Sequence, residues 1–118
     1  MALLSEMPRI FWAGDSTVKQ NDFTSYPQCG IGQGFSLFVK KEILIVNRAE
    51  NGRSTKSFID EGRLEFIKEN IRKGDFLFIQ FGHNDEKNDP LRYTDPQTTF
   101  KENLRTFIDT ARNAGAYP

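Results

Sequence analysis

Ile10-Phe11-Trp12-Ala13-Gly14-Asp15-Ser16-Thr17 decides how the rest of the chain is read. An apolar run with strong strand preference passes straight into glycine and three small polar residues, the pattern of a buried strand ending in a turn that presents a hydroxyl. Ligands of an open parallel sheet bind beyond the carboxyl ends of its strands, which makes Ser16 a candidate nucleophile. Asp15, Ser16 and Thr17 would serve equally well as the cap of a following helix, and this stretch alone leaves both readings open.

Outward from it, Lys19 to Gly34 is polar and turn-rich, holds Pro27, Gly30, Gly32 and Gly34, and reads as a loop. Phe35 to Lys41 follows as a short helix with Phe35, Phe38 and Val39 on one face, and Ile43-Leu44-Ile45-Val46 as a second buried strand. Strand, helix and strand without a two-residue hairpin signal predict a parallel, right-handed crossover. Asn47 to Thr55 then runs through Asn51-Gly52 into capping residues. Ser57 to Glu61 reads as a helical turn, and Leu64 to Arg72 as a fuller helix closed by Gly74. Asp75 to Phe81 is the third strand, apolar on both faces and so expected to be covered on both. Thr94 or Asp95 caps the last helix with Pro96 in its first turn, and Phe100, Leu104, Phe107, Ile108 and Ala111 form its apolar stripe up to Gly115. At Ala116-Tyr117-Pro118 the rhythm calls for a fourth strand. The whole is α/β layering.

Residues 1–118 read as one domain. Lys plus Arg and Asp plus Glu are both 16, and no run of like charge exceeds two residues, so there is no footprint for nucleic acid; a small neutral substrate fits better. No apolar run approaches a membrane span, and Met1 to Pro8 lacks the basic start and apolar centre of a secretory signal, so the chain reads as cytoplasmic with no membrane partner. Cys29 is the only cysteine and no Cys/His cluster exists, which predicts no disulfide, no metal and a spectator thiol.

Three consecutive strand ends carry Gly14-Asp15-Ser16, Asn51-Gly52-Arg53 and Gly82-His83-Asn84-Asp85, and on a parallel sheet they converge on one edge. Attack of Ser16 on a carbonyl creates an oxyanion that needs donors about 3 Å away, which the Ser16 N–H, the Gly52 N–H and the Asn84 carboxamide could supply. Asp15 reads as support for the Ser16 turn or as a cap. His83, the only histidine, is a base within reach if the first and third strands are neighbours. Arg53 reads either as a clamp for an acidic sugar or as a structural ion pair.

Together these blocks resemble the SGNH (GDSL-type) hydrolases. The runs Gly14 to Thr17, Asn51 to Arg63 and Ile79 to Asp85 resemble more closely their rhamnogalacturonan acetylesterase branch, over about Arg9 to Pro118. The resemblance implies a three-layer flavodoxin-like fold with a parallel sheet of order 2-1-3-4-5, of which the first three strands would be present here as 2-1-3. It implies Ser16 as nucleophile, an oxyanion hole of Ser16, Gly52 and Asn84, removal of acetyl groups from acetylated pectin sugars, and no metal or cofactor. It makes His83 structural and draws the base from a later Asp-x-x-His block, which does not occur in this sequence. The chain therefore reads as an N-terminal portion, inactive alone, whose apolar third strand would be left as an edge and favour self-association through that strand or the last helix. A non-catalytic remnant binding sugar or a small anion is the alternative from another class. A broader lipase or aryl-esterase is the alternative within the enzymes, and a phosphate binder lacks its glycine loop.

Overall fold

The computed structural model describes residues 7–118, so most of the stretch read as lacking a secretory signal lies outside the described residues. Its centre is a three-stranded parallel sheet of order β2-β1-β3, built from β1 (Ile10–Gly14), β2 (Ile45–Asn47) and β3 (Phe76–Gln80). Ile10 pairs with Ile45 on one side and Phe76 on the other, and the β1 to β3 register runs on to Gly14 and Gln80. β1 is central and buried along its whole length, as an apolar run between two parallel neighbours must be. The expected α/β fold with order 2-1-3 is the one observed. Tyr117 adds a single parallel bridge to Phe76: its N–H donates to Asp75 O and its carbonyl accepts from Leu77 N, the first rung of the strand expected there.

Strand alternation sorts the core. Phe11, Ala13, Leu77 and Val46 face three helices, α2 (Thr55–Asp60), α3 (Arg63–Asn70) and α4 (Thr99–Asn113), and pack with Phe58, Leu64, Ile67 and Phe107. Ile10 and Trp12 point to the other face, where they pack with Val18, Ala49, Phe35 at the end of α1 (Ile31–Phe35), and Val39. There Trp12, Phe35 and Phe78 meet edge to face at centroid distances of 5.0 to 5.7 Å. Asp75, 1 % exposed, opens β3 and clamps the sheet's lower end: it accepts from the Arg9 and Arg72 amides and from the Arg9 guanidinium at 2.8 Å.

Several elements depart from the sequence reading. The first helix spans Ile31–Phe35, almost wholly within the expected loop, and the helix expected over Phe35 to Lys41 is only a 3-10 turn at Ser36–Phe38, with Phe38 85 % exposed. Its glycines serve packing: a Cβ on Gly30 would lie 2.3 Å from Lys19 O, and one on Gly32 2.7 Å from Val18 O. The second strand is not buried; its residues are half-covered and Leu44 is 57 % exposed, because β2 has a neighbour on one side only. β3 is not covered on both faces as expected: Phe78 and Ile79, on opposite faces, are both half-buried, because among the described residues only Tyr117 pairs along its outer edge. A groove of 510 Å³ stays open along that edge, lined from both faces: Leu77, Ile79 and Ile108 on the α4 side, Trp12 and Phe78 on the other. α2 begins at Thr55, two residues early, because Ser54 and Ser57 cap it reciprocally. α4 begins at Thr99, since Asp95 Oδ1 first takes the Gln97 and Thr98 amides into a turn.

Candidate active site

The β1 end sets the first part of the site. Asp15 is fully buried, its Oδ1 accepts from Thr17 N at 2.9 Å, and its carbonyl accepts from Val18 N and Lys19 N. That pair of bonds closes a tight turn which leaves Ser16 and Thr17 exposed at the top of the sheet. The opposite oxygen, Asp15 Oδ2, is buried without a partner among the described residues. The loop behind is pulled onto the turn by Ile31 N donating to Thr17 O and by Asn47 Nδ2 donating to Val18 O. Ser16 and Thr17 thus line a cleft of 350 Å³ together with Asn21, Gln28, Cys29 and Asn51.

The second block lies against the first because pairing continues beyond β2: Arg48 N donates to Trp12 O and Glu50 N to Gly14 O. Asn51 and Gly52 then turn the chain, with Gly52 at φ +74, where a side chain would be strained although nothing crowds it. The third block meets the second through Asn84, 4 % exposed, whose Nδ2 donates to Arg53 O at 3.1 Å while its Oδ1 accepts from Arg92 Nη1 at 3.3 Å. The three strand ends therefore meet on one edge, as parallel strands of this register require.

Beneath Asn84, Asp85 is buried and accepts from Thr55 N at 2.9 Å, from Thr94 Oγ1 at 2.7 Å and from Thr55 Oγ1; Asn103 Nδ2 donates to that same hydroxyl. One carboxylate joins the third block, the first turn of α2 and the loop before α4, and Thr55 carries the network on to α4 through Asn103. Asp85 was legible only as part of a block. Thr55 and Thr94 read in the sequence only as capping residues, and neither their bonds to Asp85 nor those of Asn103 to Thr55 and Arg92 to Asn84 carried a signal, because the partners lie 8 to 48 residues apart.

Around the Gly52 turn runs a chain of ion pairs: Lys19 to Glu50 at 2.6 Å, Arg63 to Glu50 at 3.9 Å, and Arg63 and Arg53 to Glu61 at 3.3 and 2.8 Å. Arg53 Nη1 also donates to Asn51 O, so this geometry supports the ion-pair reading of Arg53. The Lys19 hydrogen bond holds the Glu50 carboxyl below its ordinary 4.5, and the Arg53 hydrogen bond does the same for Glu61. Because the folded values lie below the unfolded ones, the stabilisation is full above about pH 4.5 and is lost as pH falls through the folded values. Denaturation midpoints measured from about pH 6 to about pH 3 are expected to fall, and Lys19→Ala to flatten that fall.

His83 is 64 % exposed and its nearest charged partner is Glu86, 3.9 Å away; no hydrogen bond among the described residues reaches Ser16 Oγ. Cys29 is exposed on the cleft rim, and among the described residues no cluster of His, Cys, Asp or Glu could hold a metal.

No family model matches the chain. Over 110 residues it is 47 % identical to rhamnogalacturonan acetylesterase RhgT of Bacillus subtilis, covering 93 % of this chain and 46 % of that protein. It is 48 % identical, again over 110 residues, to the probable rhamnogalacturonan acetylesterase YesY of the same organism, covering 92 % and 50 %. Rhamnogalacturonan acetylesterase of Emericella nidulans is 38 % identical over 76 residues, 64 % of this chain and 28 % of that one. Among solved structures, Bacillus subtilis YxiM superposes with a TM-score of 0.80 at 31 % identity, over 93 % of this chain and 31 % of its own. The chain thus spans about half the length of the first two curated relatives. With the three blocks meeting on one edge of a 2-1-3 sheet and identity near one half over the matched residues, the chain has the SGNH hydrolase fold and is a homologue, over about half their length, of the rhamnogalacturonan acetylesterase RhgT and its relative YesY.

Proposed function

We propose that the protein is a serine esterase that removes O-acetyl groups from an acetylated carbohydrate of the rhamnogalacturonan class. The observation that supports this reading is the Asn84 Nδ2 bond to Arg53 O, which ties the third block to the second one residue from Gly52. In this reading Ser16 Oγ attacks the acetyl carbonyl. The Ser16 N–H, the Gly52 N–H and the Asn84 amide receive the oxyanion; its collapse breaks the bond to the sugar oxygen, which leaves as the alcohol with the proton Ser16 gives up, and water then splits the acetyl-serine into acetate and free Ser16. Asp15 holds the turn and His83 stands outside proton transfer. The names of the relatives RhgT and YesY support the substrate class.

Since the described residues place no base on Ser16 Oγ, the purified 118-residue protein is expected to turn over a chromogenic acetate ester only weakly, and added imidazole to raise the rate. Ser16→Ala is expected to bring that rate down to the buffer's, and lengthening the acyl chain to reduce it steeply. Equal rates in Ser16→Ala, or imidazole without effect, would count against the assignment. An unchanged rate with long acyl chains would favour a lipase-like enzyme. Past Tyr117 the outer edge of β3 is open among the described residues, so self-association through β3 or α4 is part of the proposal. Sedimentation velocity is expected to show a dimer or larger, and a monomer at every concentration would refute it.

A further inference from the structure

Asn84 has an amide that must not turn over. Its two outer atoms face opposite partners: Nδ2 faces the carbonyl oxygen of Arg53, and Oδ1 faces the guanidinium of Arg92. A flipped carboxamide would set oxygen against oxygen on one side and NH₂ against a guanidinium on the other, so both contacts reject it. In the orientation kept, one N–H is spent on Arg53 O and the second has no protein partner among the described residues.

We propose that Arg92 is a positioning residue that locks and polarises the Asn84 carboxamide, so that its second N–H is held ready for the substrate oxyanion. That last role rests on the esterase reading above; the lock itself does not. Arg92 suits the task because its planar fork spans two partners at once, with Nε on Asp89 Oδ2 at 2.8 Å and Nη1 on Asn84 Oδ1. The Asp89 to Tyr93 turn that carries it is closed by Arg92 N and Tyr93 N donating to Asp89 O, and is tied to α2 by Lys56 Nζ on Pro90 O at 2.9 Å. The Asp89 carboxyl is held below its ordinary range, first by the Leu91 amide and then by Arg92. Paired in this way, Arg92 acts on the amide as an oriented donor. A donor on the carbonyl oxygen withdraws electron density from the nitrogen and makes its remaining N–H a stronger donor.

The test has a spectroscopic and a kinetic arm. In ¹⁵N-labelled protein the Asn84 side-chain NH₂ pair is assigned by its loss in Asn84→Ala. Arg92→Ala is expected to move that ¹⁵N resonance upfield, as loss of a donor at the amide oxygen requires, with the backbone spectrum unchanged outside the Asp89 to Tyr93 turn. Arg92→Lys is expected to fall short of restoring it. Should Arg92→Ala fail to fold, Arg92→Gln gives the same reading with less lost packing. In the imidazole-assisted acetate assay, Arg92→Ala is expected to lower kcat about tenfold with KM little changed, since the donor remains but its aim is lost. An Asn84 resonance that stays in place in Arg92→Ala would overturn the inference. A raised KM for acidic sugar esters, with kcat on the neutral acetate intact, would also overturn it and make Arg92 a substrate clamp. If wild type shows no Ser16-dependent turnover, the esterase reading fails, while the NMR arm still decides whether Arg92 holds Asn84.

Discussion

Asp85→Ala is expected to cost about 3–4 kcal/mol of stability, because it leaves three buried donors without their acceptor. The Thr55 amide is the first N–H of α2 and has no other partner in its helix; the Thr55 and Thr94 hydroxyls point at the same carboxylate. Asp85→Asn is expected to cost less, about 1–2 kcal/mol, since one oxygen still accepts from Thr55 N and the hydroxyls can rotate to accept from the new NH₂. Urea denaturation of the three proteins therefore orders them wild type, Asn, Ala. An alanine variant within about 1 kcal/mol of wild type would show that the carboxylate is not what joins these segments. Because Asp85 adjoins Asn84, the folded fraction of the alanine variant is also expected to lose Asn84's defined side-chain resonance.

The other large effect lies on the opposite side of the third block. Phe107 is fully buried on α4 and meets Phe58 of α2 at 5.6 Å and Phe81 at 5.2 Å, while those two rings are 5.3 Å apart. Phe107→Ala removes the ring that α4 contributes to this triangle and is expected to cost about 3–5 kcal/mol, the range for emptying a fully buried phenylalanine site. For a chain of this length, that lowers the melting temperature by roughly 10–20 °C. Phe81 directly precedes Gly82-His83-Asn84, so the cavity would also loosen the turn that presents Asn84. Arg105→Ala, on the exposed face of α4, is the control and is expected to stay within about 0.5 kcal/mol. Equal behaviour of the two variants would mean that α4 is not held by its apolar stripe.

The central strand and the turn after it were legible in the sequence because strand preference, glycine and small polar residues agree from Ile10 to Thr17. The stripe from Phe100 to Ala111 was legible as well, since one long amphipathic helix repeats its signal several times. The start of that helix was not: Asp95 closes a competing turn first, and a capping residue reads the same whether it opens a turn or a helix. The first helix was hidden for a related reason. Glycine lowers helix preference, and only the backbone of Val18 and Lys19 pressing on Gly30 and Gly32 shows why none but glycine fits.

For the candidate site, the sequence by itself determined which residue types stand at the three strand ends and in what order, because local pattern sets strands and parallel strands bring their ends together. Tertiary structure alone decided what surrounds them: that Asn84 is gripped by Arg53 O and Arg92, that Asp85 faces Thr55 and Thr94, and that Arg53 is committed to Glu61. Hydrogen bonds and ion pairs between residues far apart in the chain follow no sequence period. They depend on which segments the sheet order sets side by side, and so exist only once the fold does.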